Sequence, residues 1–129
     1  MRSLNKQPLE PIQQSGETTR LKDQAFETLS NPRRRAALRY LRTHDGDGPV
    51  LMRDLAEHIA ACENDVSLIE VTYKQRKRVY TSLYQYHLPR LHEYGFIEYD
   101  ADRGTIELTP RSKDIDVYLE FVADGNLPW

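Results

Sequence analysis

The feature that most restricts the fold is a long segment of helical period that opens with its own start signal and runs directly into a hairpin pattern. Thr72 and Gln75 form a T-x-x-Q capping box, in which each side chain bonds a backbone amide that the helix start would leave free. Val79, Tyr80, Leu83, Tyr84, Tyr86, His87, Leu88 and Leu91 carry the pattern on to Tyr94-Gly95, where glycine supplies a left-handed stop. This predicts a helix over 73–94, with a kink expected at Pro89. Phe96, Glu98 and Asp100 then alternate with Ile97 and Tyr99. Asp102-Arg103-Gly104 makes a turn, and Thr105 to Thr109 alternates again. A β-hairpin over 96–109 follows.

Upstream, Leu21, Ala25, Phe26 and Leu29 recur at helical spacing until Ser30-Asn31-Pro32. Asn before Pro starts the next helix, because the Asn oxygen caps free amides and Pro at the first helical position gives up no hydrogen bond. That helix runs from Pro32 to Thr43, with Ala36, Ala37, Tyr40 and Leu41 on its apolar face. His44-Asp45-Gly46-Asp47-Gly48-Pro49 ends it, as turn chemistry requires. Val50-Leu51 fits a two-residue strand. Leu55, Ala56, Ile59 and Ala60 make an apolar stripe through Met52 to Cys62, the length of the first helix of a helix-turn-helix. Leu51 stands where a capping Thr or Ser is expected before that helix. A last helix is expected from Thr109-Pro110, with Ile115, Tyr118, Leu119 and Val122 on one face.

At 129 residues the chain has the length of one domain. Met1 to Arg20 reads as a flexible arm, 21–124 as the domain and 125–129 as a tail. The expected fold class is mainly α with a small β-hairpin (α+β), arranged as a winged helix-turn-helix, because a hairpin that follows a helix-turn-helix is a wing.

The formal net charge of -2 speaks mildly against a nucleic-acid protein, but the charges are segregated. Asn31 to Thr43 holds five bases and no acid, and so does Val71 to Arg90. A basic face on an acidic chain is thus allowed. On the 73–94 helix, Lys74, Arg78, Thr81, Ser82 and Gln85 fall opposite the apolar arc. Arg78 and Gln85 suit guanine and adenine edges, Thr81 and Ser82 a methyl or phosphate, and Lys74 and Lys77 phosphates near the helix start. Arg103 at the hairpin tip is the wing candidate. The bland reading of each is a solvated helix face. Arg33 to Arg35 is expected to be exposed, in a place where positive charge opposes the helix dipole.

The single cysteine, Cys62, rules out an internal disulfide and is expected to be buried or inert, with redox sensing the lesser option. Tyr80, Tyr84 and Tyr86 are expected to pack in the core or a dimer seam, with stacking on bases the lesser option. The histidines (His44, His58, His87, His92) are expected to be structural or surface groups, and no cofactor or metal is assigned. No nucleophile elbow, phosphate loop or paired-carboxylate pattern appears, so an enzyme is not expected. No apolar run has the length of a membrane span, and the polar N-terminus lacks a signal-peptide core, which together predict a cytoplasmic protein.

Leu29-Ser30-Asn31-Pro32-Arg33-Arg34-Arg35, Asp54-Leu55-Ala56-Glu57-His58-Ile59-Ala60, Glu63-Asn64 and the run from Arg76 through Tyr84-Gln85-Tyr86-His87-Leu88-Pro89 to Leu91 resemble a family of small haloarchaeal winged-helix domains. Gly95, Ile97, Tyr99, Asp100 and Arg103-Gly104 extend the match, which covers about Phe26 to Ile106. More distantly the pattern is similar to arsenic-repressor and MarR-type winged helices. The resemblance implies an archaeal transcription regulator that binds double-stranded DNA. A homodimer through Ile115, Tyr118, Leu119 and Val122 is expected, because an exposed apolar stripe needs a partner. The rival expectation is a winged-helix protein-interaction module, an adaptor that does not bind DNA.

Overall fold

The computed structural model describes residues 19–123, so most of the expected arm and the 125–129 tail lie outside the described residues. Helix α1 is described over 19–29 and buries Ala25, Thr28 and Leu29. Helix α2 (Pro32–Thr43) starts as the Asn-Pro pair predicts: the Asn31 side chain accepts from the amides of Arg33 (2.9 Å) and Arg34 (3.3 Å). It turns Ala37, Leu38 and Leu41 inward. The following turn places Gly46 at φ +93 and Gly48 at φ +91, a region closed to most side chains.

Strand β1 (Val50–Leu51) leads straight into helix α3 (Met52–Asn64), which has no side-chain cap. The amide of Met52, the first helical residue, donates to the carbonyl of Gly104 at 2.8 Å, so the hairpin turn satisfies one of the free amides of the helix start. The link to α4 contains a 3-10 turn (Leu68–Glu70) with its own Ser67/Glu70 capping box. Helix α4 (Tyr73–Ser82) begins with the predicted box: Gln75 N–H donates to the Thr72 hydroxyl (3.1 Å) and Thr72 N–H to the Gln75 side chain (2.9 Å).

The helix expected over 73–94 is broken in register. A π turn (Leu83–His87) separates α4 from α5 (Leu88–Glu93), and Leu88 N–H reaches back five residues to the Leu83 carbonyl. Pro89 is the physical reason. Its ring would collide with the carbonyl of Gln85 four residues earlier and offers it no donor, and a π turn at that point moves the carbonyl aside. The stop falls where predicted, with Gly95 at φ +81 and Phe96 N–H on the Leu91 carbonyl at 3.0 Å.

Strands β2 (Ile97–Asp100) and β3 (Thr105–Leu108) form the expected hairpin, and β1 joins it to make a three-stranded antiparallel sheet of order β1-β3-β2. The register sets Tyr99 opposite Ile106 and Glu98 opposite Glu107. Ile97 and Ile106 are buried, while Glu98 and Glu107 face solvent. Asp100 shapes the turn by accepting from the amides of Asp102 and Arg103, both at 3.1 Å. After a 3-10 turn (Pro110–Ser112), helix α6 (Lys113–Ala123) closes the described chain.

One core draws on all of these elements, from Leu29 and Leu38 through Leu55, Leu83 and Phe96 to Ile115 and Leu119. The architecture is mainly helical with a small sheet, the expected α+β class. The dimer stripe needs correction. Ile115 and Leu119 are buried, and Tyr118 and Val122 pack against the same core, Tyr118 edge-on to Phe26 at 5.6 Å. Among the described side chains, the large apolar ones that α6 exposes are Val117 and Phe121. Among the described residues no helix is long and apolar enough to cross a membrane.

Candidate functional site

Helix α4 is held by its inner side, where Val79, and Leu83 of the π turn, are buried. At 100° per residue this commits Lys74, Lys77, Arg78 and Thr81 to the outside, and all four are exposed. Ser82 is half-buried, so it sits at the edge of the face rather than on it. Gln85 is exposed, but as part of the π turn it lines a groove with Glu27, Arg34, Tyr86, Pro89 and Arg90. Arg76 turns inward to Glu57 of α3 at 3.5 Å. Among the described residues Lys74, Lys77 and Arg78 enter no ion pair, and Lys77 places its ammonium 5.7 Å from the centre of the Tyr73 ring.

The tyrosines do not pack in the core, one of the two places expected for them. Tyr80, Tyr84 and Tyr86 are exposed by 38, 50 and 66%. Tyr99 lies near the first two: burial, then the proximity of Tyr84 and Tyr80, pushes its phenol up, and its hydroxyl is buried with no hydrogen-bond partner among the described residues. The outer surface of α4 therefore combines free bases with aromatic rings.

Arg103 extends from the hairpin turn with its side chain 82% exposed and 3.8 Å from Asp100. Glu98, Asp100, Asp102 and Glu107 are exposed around it, which makes the hairpin acidic apart from this one base.

The arginine triplet is not a free basic patch. Arg33 grips Glu63 of α3 through two hydrogen bonds, 2.6 and 2.9 Å; this bond with Glu63 raises its pKa against the effect of burial. Arg34 donates to the carbonyls of Glu27 (2.9 Å) and Thr28 (3.0 Å), and Arg35 to that of Leu29 (2.6 Å). Those carbonyls end α1, where no further helical turn follows; that of Glu27 also accepts from the Ser30 amide at 3.3 Å and the Ser30 hydroxyl at 2.7 Å. Positive charge at the start of α2 is thus explained by the neighbouring helix end it satisfies.

Arg34 also reaches His87, with Nη1 3.2 Å from Nδ1. Burial, then Arg34 and Arg33, lower the His87 pKa to about 4. This contact was not foreseen, although His87 sits between apolar residues at inward helical spacing. Cys62 is exposed rather than buried, with Sγ 3.8 Å from Nε2 of His58. Among the described residues no three His, Cys, Asp or Glu side chains gather as metal ligands would.

The outer face of α4 can offer charge to phosphates and aromatic or polar groups to a partner surface. Neither curated proteins nor solved structures contain a match to the chain. The family described as Domain of unknown function (DUF7344) matches residues 26–107, from α1 to β3, and the chain belongs to that family.

Proposed function

We propose that the protein is a winged helix-turn-helix regulator that binds double-stranded DNA, with α3 and α4 as the helix-turn-helix, α4 in the major groove and the β2-β3 hairpin as the wing. The observation that carries this reading is the contrast between two basic segments. Most arginines of α2 are consumed by internal carbonyls and carboxylates, whereas Lys74, Lys77 and Arg78 stand exposed and unpaired on one helix face beside Thr81. Free cations on a helix that a reciprocal cap holds in place suit phosphate contact and base reading. The strand order, with a short strand before α3 completing the sheet, supports the winged-helix assignment.

In this reading the chain acts as a homodimer in the cytoplasm and not as an enzyme. The pairing surface would pass through Val117 and Phe121 of α6, since the stripe once expected to do so is occupied by the core.

The rival reading, a protein-interaction adaptor, is favoured by the exposed Tyr73, Tyr80 and Tyr84 and by the acidic hairpin. Duplex binding measured over a salt series separates the two. A duplex ligand gives affinity that falls steeply with salt and depends on Lys74 and Arg78; a protein ligand leaves DNA unbound at all salts.

A further inference from the structure

Five arginines and no acid lie between Asn31 and Thr43, and four of the five have internal work. Arg33, Arg34 and Arg35 are bound as described, and Arg42 holds Glu120 (2.7 Å) and Asp116 (3.7 Å). Arg39 holds nothing. Of the seven half-buried arginines among the described residues, it alone has a side chain with neither a hydrogen bond nor an ion pair. Its setting makes that unfavourable. Burial comes first in lowering its pKa, followed by the charges of Arg35 and Arg42, with Glu120 pulling the other way. Glu120 is already engaged by Arg42. A guanidinium presents five N–H donors in a rigid fork, so a half-buried one with no acceptor and two cations beside it lacks a negative partner.

Arg39, Arg42 and Thr43 face Leu119 and Glu120 across an open groove of about 390 Å³ between α2 and α6. The Thr43 hydroxyl donates to the Arg39 carbonyl at 3.0 Å, which leaves its oxygen lone pairs for a protonated ligand oxygen. Three arginines (Arg35, Arg39, Arg42) against two carboxylates (Asp116, Glu120) leave a surplus positive charge. No residue of α4 or the hairpin lines the groove, so it stands apart from the proposed duplex face.

We infer that this groove binds a small phosphate-bearing anion, gripped by the Arg39 fork with Arg42 and Thr43 alongside. Two phosphate oxygens match the paired N–H groups of one guanidinium. The bound anion completes the charge balance between α2 and α6 and ties those two helices together.

The test is thermal unfolding of the full-length chain in inorganic phosphate up to about 10 mM, against chloride at equal ionic strength, for wild type, Arg39→Gln and Arg53→Gln. Arg53 is exposed and unpaired on α3, so its variant removes the same charge elsewhere. Phosphate is expected to raise the wild-type and Arg53→Gln melting temperatures by about 5 °C, the size expected of a millimolar site, and to leave Arg39→Gln unmoved. In chloride alone Arg39→Gln is expected to melt no lower than wild type. An equal rise in Arg39→Gln, or no rise in wild type, overturns the inference. Duplex titration of the same variants separates the source of the phosphate. Unchanged duplex affinity in Arg39→Gln supports a free anion, while its loss without any phosphate response assigns the groove to the DNA backbone and overturns the inference.

Discussion

His87 offers a stability measurement whose size follows from its surroundings. The residue is 7% exposed, and its Nδ1 lies 3.2 Å from a guanidinium of Arg34. A guanidinium has only donors, so Nδ1 must accept and the ring proton sits on Nε2. A second proton would break this contact and place like charges together. Burial, then Arg34 and Arg33, accordingly lower the pKa from 6.5 to about 4 against the pull of Glu63. Between those values the unfolded chain holds a proton that the folded chain does not, so stability rises with pH across the window and is lost as pH falls toward the folded value. From about pH 7.5 to about pH 5 the loss from this one group is about 2 kcal/mol. At a urea slope of about 1.5 kcal/mol/M the midpoint should drop by about 1.3 M. Urea unfolding followed by circular dichroism at both pH values, for wild type and His87→Gln, isolates the effect. Glutamine keeps an acceptor for Arg34 but does not titrate. The wild type should lose about 2 kcal/mol more than the variant; equal losses in both proteins would show that His87 is not the group responsible.

Thr72→Ala removes one half of the α4 capping box and should cost about 1 kcal/mol in urea unfolding, with faster hydrogen exchange at the Gln75 amide; unchanged exchange there would show that the cap does not hold the helix start. Gly95→Ala places a Cβ at φ +81 and 3.3 Å from Cδ of Arg111, a side chain fixed by bonds to the Tyr94 carbonyl and Gln24; a loss of about 1 to 2 kcal/mol is expected from backbone strain and the displaced arginine. Cys62 is exposed and should react with a thiol reagent in the native protein as fast as in urea, whereas protection in the native state would place it in an interface.

Local chemistry made much of the architecture readable. Asn31 before Pro32, Thr72 with Gln75, and Gly95 after Tyr94 each act within a few residues, and the structure keeps all three boundaries. The same locality made the outer face of α4 legible, because burying Val79 leaves Lys74, Arg78 and Thr81 outside. Distant partners set what was not legible. At the start of α3, where Leu51 offers no capping side chain, Gly104, far along the chain, supplies a carbonyl to the Met52 amide. Arg34 and Arg35 look like free surface charge until the end of α1 is folded against them. The α6 stripe looked unpartnered because a helical pattern alone does not say whether its apolar face meets its own core or another chain. At Pro89 the sequence signals a disturbance but not its form, and the π turn that results changes the phase on which the placement of Gln85 beside Arg78 depended.

Duplex binding by α4 is tested by fluorescence anisotropy of the protein with labelled genomic duplexes over a salt series, for wild type, Lys74→Ala, Arg78→Ala and the exposed control Arg53→Ala. Binding is expected to weaken linearly in log salt, with Lys74→Ala and Arg78→Ala each reducing the slope by about 1 or weakening affinity by about 1 to 3 kcal/mol, and Arg53→Ala behaving as wild type. Absence of duplex binding at every salt at which the protein remains folded, or equal binding by all four proteins, would contradict that role for α4.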